Sequence, residues 1–134
     1  RKGCLEQYCS ATGIVRLAKE FLAEEHGPSL LDDVQEISAK AVFDTYKEND
    51  ALAGKIVEKF ARILGRALSS FACVTDPEVF VIGGGVSKAG TPLIDVVNKY
   101  YKEAAFSSCT DTKFALASLG NDAGMYGCAR LILE

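Results

Sequence analysis

The segment Val79 to Ser87 constrains the fold most, because an apolar run leads directly into three glycines. β-Branched and aromatic residues at positions 79–82 predict a buried strand. Gly83, Gly84 and Gly85 follow at its carboxyl end, where α/β proteins bind ligands. Their bare backbone amides predict a site for an anion such as a nucleotide phosphate. A tight turn that needs positive φ angles is the alternative interpretation.

Two familiar phosphate-binding motifs do not match this glycine run. A Walker loop requires lysine and then serine or threonine after its last glycine, whereas here Ser87 precedes Lys88. The dinucleotide fingerprint requires a third glycine at the position that Lys88 occupies. The run therefore predicts a strand-to-helix turn of some other nucleotide-binding fold.

The bulk composition predicts one domain and excludes two classes of partner. A chain of 134 residues can bury a real core. The net charge of −3 offers no basic field for nucleic acid. Because no apolar run reaches membrane-spanning length and no signal peptide is visible, we expect no membrane partner. The five scattered cysteines form no even disulfide framework, so we expect a reducing, cytoplasmic location.

Helical periodicity dominates the rest of the chain. Ser38 and Thr91 are expected to cap two of the helices, with Pro92 at the first helical position of the second. The expected helices cover residues 14–25, 38–46, 56–71 and 91–101.

The longest expected helix has an apolar face from Ile56 to Phe71, which predicts packing against the rest of the domain. Gly54 and Gly65 weaken this helix locally and are expected to let a neighbouring helix approach closely. The helix is expected to end at Asp76, because the residue before proline avoids the helical conformation.

The second half of the chain predicts an α/β layer. Residues 114–117 predict a second short strand, and an apolar helix is expected after Gly120, ending at Leu133. Strand, glycine turn, helix, strand and helix then follow one another, with the first half as helical cover. The expected fold class is therefore helix-rich α/β with few strands.

The first residue, Arg1, is not methionine, and Met125 is the only methionine present. We therefore expect the chain to be a fragment or a domain of a longer protein.

Three motifs together resemble the ROK family of sugar kinases and repressors. Gly3-Cys-Leu-Glu6, followed by Ser10-Ala-Thr-Gly-Ile14, looks like the tail of the family signature Cys-x-Cys-Gly-x-x-Gly-Cys-x-Glu. Residues 79–90 resemble the family's C-terminal nucleotide loop, and residues 117–124 resemble the turn before its last helix. Within the family, the resemblance is to bacterial glucokinases.

The resemblance implies the actin-like ATPase (ribonuclease H-like) fold, in which two α/β domains close over a cleft. Residues 1–134 would form a single, N-terminally truncated C-terminal domain. The two predicted strands are too few for the complete sheet, so other strands would come from sequence upstream.

Glu6 is the candidate sugar-binding residue. A carboxylate accepts two hydrogen bonds and can hold adjacent hydroxyls of a sugar ring. The resemblance assigns Glu6 to the sugar hydroxyls near the anomeric carbon. From the residues alone, a solvated carboxylate in the first turn of a helix is the alternative.

Cys4 is the candidate metal ligand. The resemblance makes it the third cysteine of a structural zinc site with three cysteines and one histidine. The other ligands would lie upstream of Arg1, while Cys9 and His26 receive no family role. Zinc would therefore be absent from the separate chain or weakly held.

The resemblance implies ATP-dependent phosphorylation of glucose at the 6-hydroxyl, with Mg²⁺-ATP as donor. Gly83, Gly84, Gly85 and Val86 would line the adenosine and phosphate side of the cleft. The catalytic aspartate and the first phosphate loop would lie upstream, so this chain alone would be inactive.

Other functions remain open within the same family. A sugar-responsive transcriptional repressor, or a kinase for N-acetylmannosamine or fructose, would keep Glu6. The intact triple glycine favours a kinase over a repressor, and Glu6 does not discriminate between the sugars. Glucose and ATP are the expected partners, and a homo-oligomer is a further expectation.

Overall fold

The computed structural model describes residues 3–24 and 26–133, with only the backbone described for Asn121. Helices dominate this part of the chain, and two short strands lie in its second half. The α-helices are α1 (Glu6–Cys9), α2 (Ala11–Ala23), α3 (Ala39–Lys47), α4 (Ala51–Thr75), α5 (Thr91–Ala104) and α6 (Ala123–Leu133). The strands are β1 (Val79–Ile82) and β2 (Lys113–Leu116), and the 3₁₀ helices are η1 (Leu30–Asp33), η2 (Gly85–Ala89), η3 (Ser107–Cys109) and η4 (Gly120–Asp122).

Short polar side chains fix where three of the helices begin. Ser10 Oγ accepts a hydrogen bond from Gly13 N at 3.1 Å, and Ser38 Oγ accepts one from Ala41 N at 3.1 Å. Asp50 accepts one from Ala53 N at 2.8 Å. Each cap satisfies a backbone donor that the first helical turn leaves unpaired. The Ser38 cap was predicted, whereas the Ser10 cap starts α2 earlier than the apolar pattern suggested.

Helix α4 is the centre of the domain, because α2, α3 and α5 all pack against it. Gly65 lies at its crossing with α5, where a Cβ atom would stand 2.7 Å from Tyr101 N. Only glycine fits at that distance, so the predicted close approach is confirmed at Gly65. At Gly54 it is wrong, since nothing lies within 4 Å of the corresponding position. The core comprises Ile14, Leu17, Leu31, Val42, Phe43, Ile56, Val57, Phe60, Leu93 and Val97, among others.

The two strands are parallel and paired in register from Val79 opposite Lys113 to Ile82 opposite Leu116. Phe80 and Phe114 form an aromatic cluster with Tyr101 of α5, with ring centroids 5.1–5.9 Å apart. The other face is open, and Val81 is 61% exposed. The prediction that residues 79–82 form a buried strand is therefore wrong for this face, because burial alternates along β1.

Two local predictions need correction. Gly90, with φ of +78°, is the N-cap of α5, so Thr91 and Pro92 are its first two helical residues. Phe71 is 49% exposed although its neighbour Ala72 is fully buried. Consecutive helical residues point about 100° apart, and the described elements cover only one side of the last turns of α4.

Helix α6 lies where the sequence predicted an apolar helix, but its described side chains are all exposed. Ile132, near its end, is 85% exposed. Within the described residues, none of the helices has the length and hydropathy needed to cross a membrane.

Candidate functional site

The glycine run forms the turn between β1 and η2. Gly84 has a φ of +74°, and Ser87 donates hydrogen bonds to the Gly84 carbonyl from its hydroxyl at 2.7 Å and its amide at 3.2 Å. The three glycines are exposed, whereas Val86 is buried. The alternative interpretation of a tight turn therefore accounts for Gly84.

The other two glycines have different surroundings. A Cβ atom on Gly83 would stand 3.3 Å from Ala117 Cβ, at the end of β2. One on Gly85 would stand 3.5 Å from Ala11 Cβ, at the start of α2. The carboxyl ends of both strands and the beginning of α2 therefore meet at this run, as expected of a ligand-binding edge in an α/β fold.

A cavity of about 540 Å³ lies between α2 and residues 35–39, and the glycine run is not part of its wall. Ala11, whose Cβ would stand 3.5 Å from a Cβ atom added to Gly85, forms part of its wall. The cavity is of the size that small-molecule ligands occupy in proteins, about 300–1,000 Å³. Its wall consists of Ala11, Thr12, Val15 and Lys19 from α2, and of Gln35, Glu36, Ile37, Ser38 and Ala39.

Glu6 is exposed at the start of α1. Helix α1 is held firmly on α2, because a Cβ atom on Gly13 would stand only 2.8 Å from the Gln7 carbonyl oxygen. Arg16 Nη2 also donates to that oxygen at 2.8 Å. Glu6 and Ala11 thus lie on one short, fixed segment. Within the described part of the chain the Glu6 carboxylate has no partner, and Ala11 lies near Gly85 of the glycine run.

Cys4 is also exposed. The described residues contain no cluster of three or more histidine, cysteine or acidic side chains that could hold a metal ion. One thiolate cannot form a four-ligand zinc site, so the zinc assignment of Cys4 stays a prediction that needs other ligands. Burial raises the pKa of the Cys9 thiol to about 11, which keeps the thiol protonated at neutral pH.

Other polar residues of the chain have ordinary surroundings. Lys88, Asp95 and Asp111 are exposed, and Asp122 lies in η4. His26 Nδ1 lies 2.8 Å from the Gly27 carbonyl oxygen, and its Nε2 lies 3.6 Å from Asp32.

The cavity wall was missed by reasoning from the sequence. Segment 35–39 lies between η1 and α3 and has no periodic pattern that marks it as a site. Segment 35–39 comes close to Ala11 only in the folded chain. The run of small residues from Ser10 to Gly13 was the available signal, since small side chains leave space beside a ligand.

Comparison with known proteins places these features in one family. The model of the ROK family matches residues 1–134. The glucokinase of Halalkalibacterium halodurans is 39% identical, with 100% of this chain and 42% of that protein covered. A crystal structure of a ROK family glucokinase from Streptomyces griseus, in complex with glucose and AMPPNP, has a TM-score of 0.82 at 30% identity. The match covers 98% of this chain and 45% of the chain in that structure.

A ROK family transcriptional regulator, homologous to the Escherichia coli MLC protein, has a TM-score of 0.70 at 27% identity. It covers 87% of this chain and 29% of that structure. The chain spans less than half the length of the curated glucokinases that it matches. The predicted fold class, a partial domain of the actin-like ATPase fold with many helices and few strands, is confirmed.

Proposed function

This chain belongs to the ROK family, and on that premise we propose that the complete protein is an ATP-dependent kinase that phosphorylates glucose at its 6-hydroxyl. The glycine run at the carboxyl end of β1 is the observation that favours this function most strongly. On this proposal, residues 1–134 are a single C-terminal domain that is inactive alone, and the reaction takes place in the cytoplasm as a step of glycolysis.

The glycine run and Val86 are assigned to the nucleotide. Gly83, Gly84 and Gly85 are exposed and carry no side chains, so a phosphate oxygen would approach their amides closely on this proposal. The cavity between α2 and residues 35–39, which Ala11 borders, has room for the adenosine part. Buried Val86 anchors η2 in the core and so fixes the position of the run.

Glu6 is assigned to the sugar. Its carboxylate has no hydrogen bond or ion pair within the described part of the chain, so both oxygens are free to accept from hydroxyls. Because α1 is fixed on α2, the carboxylate would orient the ring with little loss of entropy on binding.

Phosphoryl transfer needs in-line positioning and neutralisation of charge. The described residues would contribute positioning: Glu6 orients the sugar, and the glycine amides orient the phosphates. No described acidic cluster could hold a metal ion, so Mg²⁺ would come with the ATP phosphates. Cys4 would supply one ligand to a structural Zn²⁺ in the complete protein. The general base is assigned to a part of the protein outside this chain.

Substitution of Glu6 by glutamine in the complete protein tests the sugar assignment. The variant keeps the size of the side chain but loses the charge, so we expect glucose affinity to fall at least about tenfold. Isothermal titration calorimetry with glucose measures this directly. Glu103→Gln changes an exposed glutamate on α5 and serves as the matched control. Equal glucose affinity in Glu6→Gln and the wild type would refute the role of Glu6.

A sugar-responsive repressor is the second candidate, because a transcriptional regulator shares this fold. Such a protein needs a helix-turn-helix upstream, and the intact triple glycine favours a kinase instead. N-acetylmannosamine and fructose are alternative substrates. A coupled assay of the complete protein with ATP and each of the three sugars decides between these functions, since a repressor gives no turnover with any of them.

A further inference from the structure

Helix α1 carries Glu6 but contributes little to the core of the domain. It has four residues, from Glu6 to Cys9, and none of them is fully buried. An isolated helix of fewer than about 12 residues is marginal in water, so α1 needs contacts with other elements to keep its conformation. Burial in the core is only a part of what holds it. The orientation of Glu6 therefore depends on individual contacts between α1 and its neighbours.

The helical backbone is interrupted where α1 meets α2. Ser10, between the two helices, has an extended backbone with φ of −93° and ψ of 169°. Its amide still donates to the Glu6 carbonyl at 3.1 Å, but within the described part of the chain no backbone amide donates to the Gln7 carbonyl. A carbonyl at a helix end needs another partner. Arg16 of α2 provides it, since its Nη2 donates to the Gln7 oxygen at 2.8 Å.

Two further contacts restrict the Arg16 guanidinium. Its Cζ atom lies 4.8 Å from the centroid of the Tyr8 ring, whose face attracts a cation. Its Nε atom lies 3.6 Å from Glu20 Oε1, one turn further along α2. A planar guanidinium that is held by a ring, a carboxylate and a carbonyl has little freedom left to lose. One side chain of α2 thus holds two consecutive residues, Gln7 and Tyr8, that directly follow Glu6.

We propose that Arg16 is a positioning residue of the sugar site, which sets the orientation of the Glu6 carboxylate by holding the Gln7 carbonyl and the Tyr8 ring against α2. This inference rests on the assignment of Glu6 to the sugar in the proposed function. Arg16 does not need to touch the sugar, because its contacts are with the backbone and the ring that follow Glu6. A carboxylate that is already oriented loses less conformational entropy when the sugar binds.

Isothermal titration calorimetry of the complete protein with glucose tests this role. Arg16→Met keeps the length of the side chain but loses its charge and its donors, so we expect the glucose dissociation constant to rise about tenfold. Arg16→Lys retains a cation and a donor, and we expect it to limit the increase to about threefold. Lys102→Met removes a cation from an exposed position of α5 and is the matched control, which should leave the constant unchanged.

Affinity for the nucleotide separates positioning of Glu6 from a general loss of structure. The dissociation constant for AMPPNP should be unchanged in Arg16→Met, because Glu6 is not assigned to the nucleotide. A parallel loss of affinity for AMPPNP would mean that Arg16 supports the whole domain, and would overturn the proposal. Where circular dichroism shows that Arg16→Met does not fold, Tyr8→Leu takes its place. It removes the ring beside the guanidinium and should weaken glucose binding about threefold without affecting AMPPNP.

A double-mutant cycle with Glu6→Gln shows whether Arg16 acts through Glu6. In the Glu6→Gln protein, Arg16→Met should change glucose affinity less than about twofold, because the charge that Arg16 orients is already gone. Additive losses would mean that Arg16 contacts the sugar itself, which overturns a positioning role. Unchanged glucose affinity in Arg16→Met, together with a loss in Glu6→Gln, would overturn this inference alone. Unchanged affinity in Glu6→Gln would instead refute the sugar assignment, and this inference with it.

Discussion

Helices α2 to α5 bury their apolar residues against one another, whereas β1, β2 and α6 leave many of theirs on the surface. Phe60 in α4 is fully buried, while Ile132 in α6 is 85% exposed. Both lie in amphipathic or apolar helices, so the sequence pattern of each predicts packing. The difference shows that an apolar helix face becomes a core only where another element of the same unit covers it.

Phe60→Ala should give the largest effect, because it removes a buried ring that packs edge-to-face on Phe43 with centroids 6.2 Å apart. We expect the free energy of unfolding of the 134-residue chain to fall by about 3–5 kcal/mol. Urea denaturation followed by circular dichroism measures the loss. A change below about 1 kcal/mol would show that α2 to α5 do not form a rigid core.

Gly65→Ala tests the closest helix crossing in that region. The new Cβ would stand 2.7 Å from Tyr101 N and 2.8 Å from the Tyr100 carbonyl carbon, both backbone atoms. Backbone cannot move aside cheaply, so we expect a loss of about 1–3 kcal/mol despite the higher helix propensity of alanine. Gly54→Ala is the control, because the corresponding space is open, and it should be neutral or stabilising. Equal effects of the two changes would mean that α4 and α5 lie further apart.

The carboxylate of Asp50 makes the stability of the helical region depend on pH. Burial opposes the charge of its carboxylate, but hydrogen bonds from Ala53 N, Leu30 N and Ser29 Oγ outweigh burial and lower the pKa of Asp50. A lowered pKa in the folded state gives stability that is present above the unfolded value and is lost as pH falls through the folded value. Asn has one acceptor oxygen, whereas both carboxylate oxygens of Asp50 accept hydrogen bonds. Asp50→Asn should therefore cost about 1 kcal/mol at pH 7.

The stability of Asp50→Asn should then approach that of the wild type as the pH falls below about 4. Denaturation curves of both proteins at several pH values measure the difference. A constant difference across the acid range would exclude the charge of Asp50 as its cause.

Ile132→Ala should have the smallest effect and sharpens the comparison most directly. In the 134-residue chain, α6 is not covered by the other described elements. We therefore expect the free energy of unfolding to change by no more than about 0.5 kcal/mol. In the longer protein of the proposed function, a larger loss from the same substitution would show that another part of that protein covers α6. Paired denaturation curves of the two lengths give the answer.

The sequence was most informative where local chemistry decides the structure. Ser38 caps α3 and Asp76 ends α4, because short polar side chains and a following proline act within a few residues. Close approach was predicted at both glycines of α4 and is confirmed at Gly65 but not at Gly54, so a glycine inside a helical pattern is only a partial signal. The family of the chain also followed from short motifs.

The features that the sequence did not predict depend on contacts between segments that are distant in the chain. Burial of β1 was overestimated, because the sequence does not show that only one face of the sheet is covered. The cavity lies between α2 and residues 35–39, and Ala11 borders the cavity and lies near Gly85 of the glycine run. No periodic pattern in the sequence predicts that these distant segments lie next to one another. Glu6, Cys4 and the glycine run remain predicted site residues that need binding experiments.

The two-stranded sheet has a consequence for handling the separate chain. Within the described residues β1 and β2 pair only with each other, so the outer edge of each strand keeps unpaired amide and carbonyl groups. Val81 adds an exposed β-branched side chain to the open face. Such edges are templates for strands of other molecules. At high concentration the separate chain is therefore prone to intermolecular β-pairing, and a clean sample needs low concentration or a strand-capping peptide.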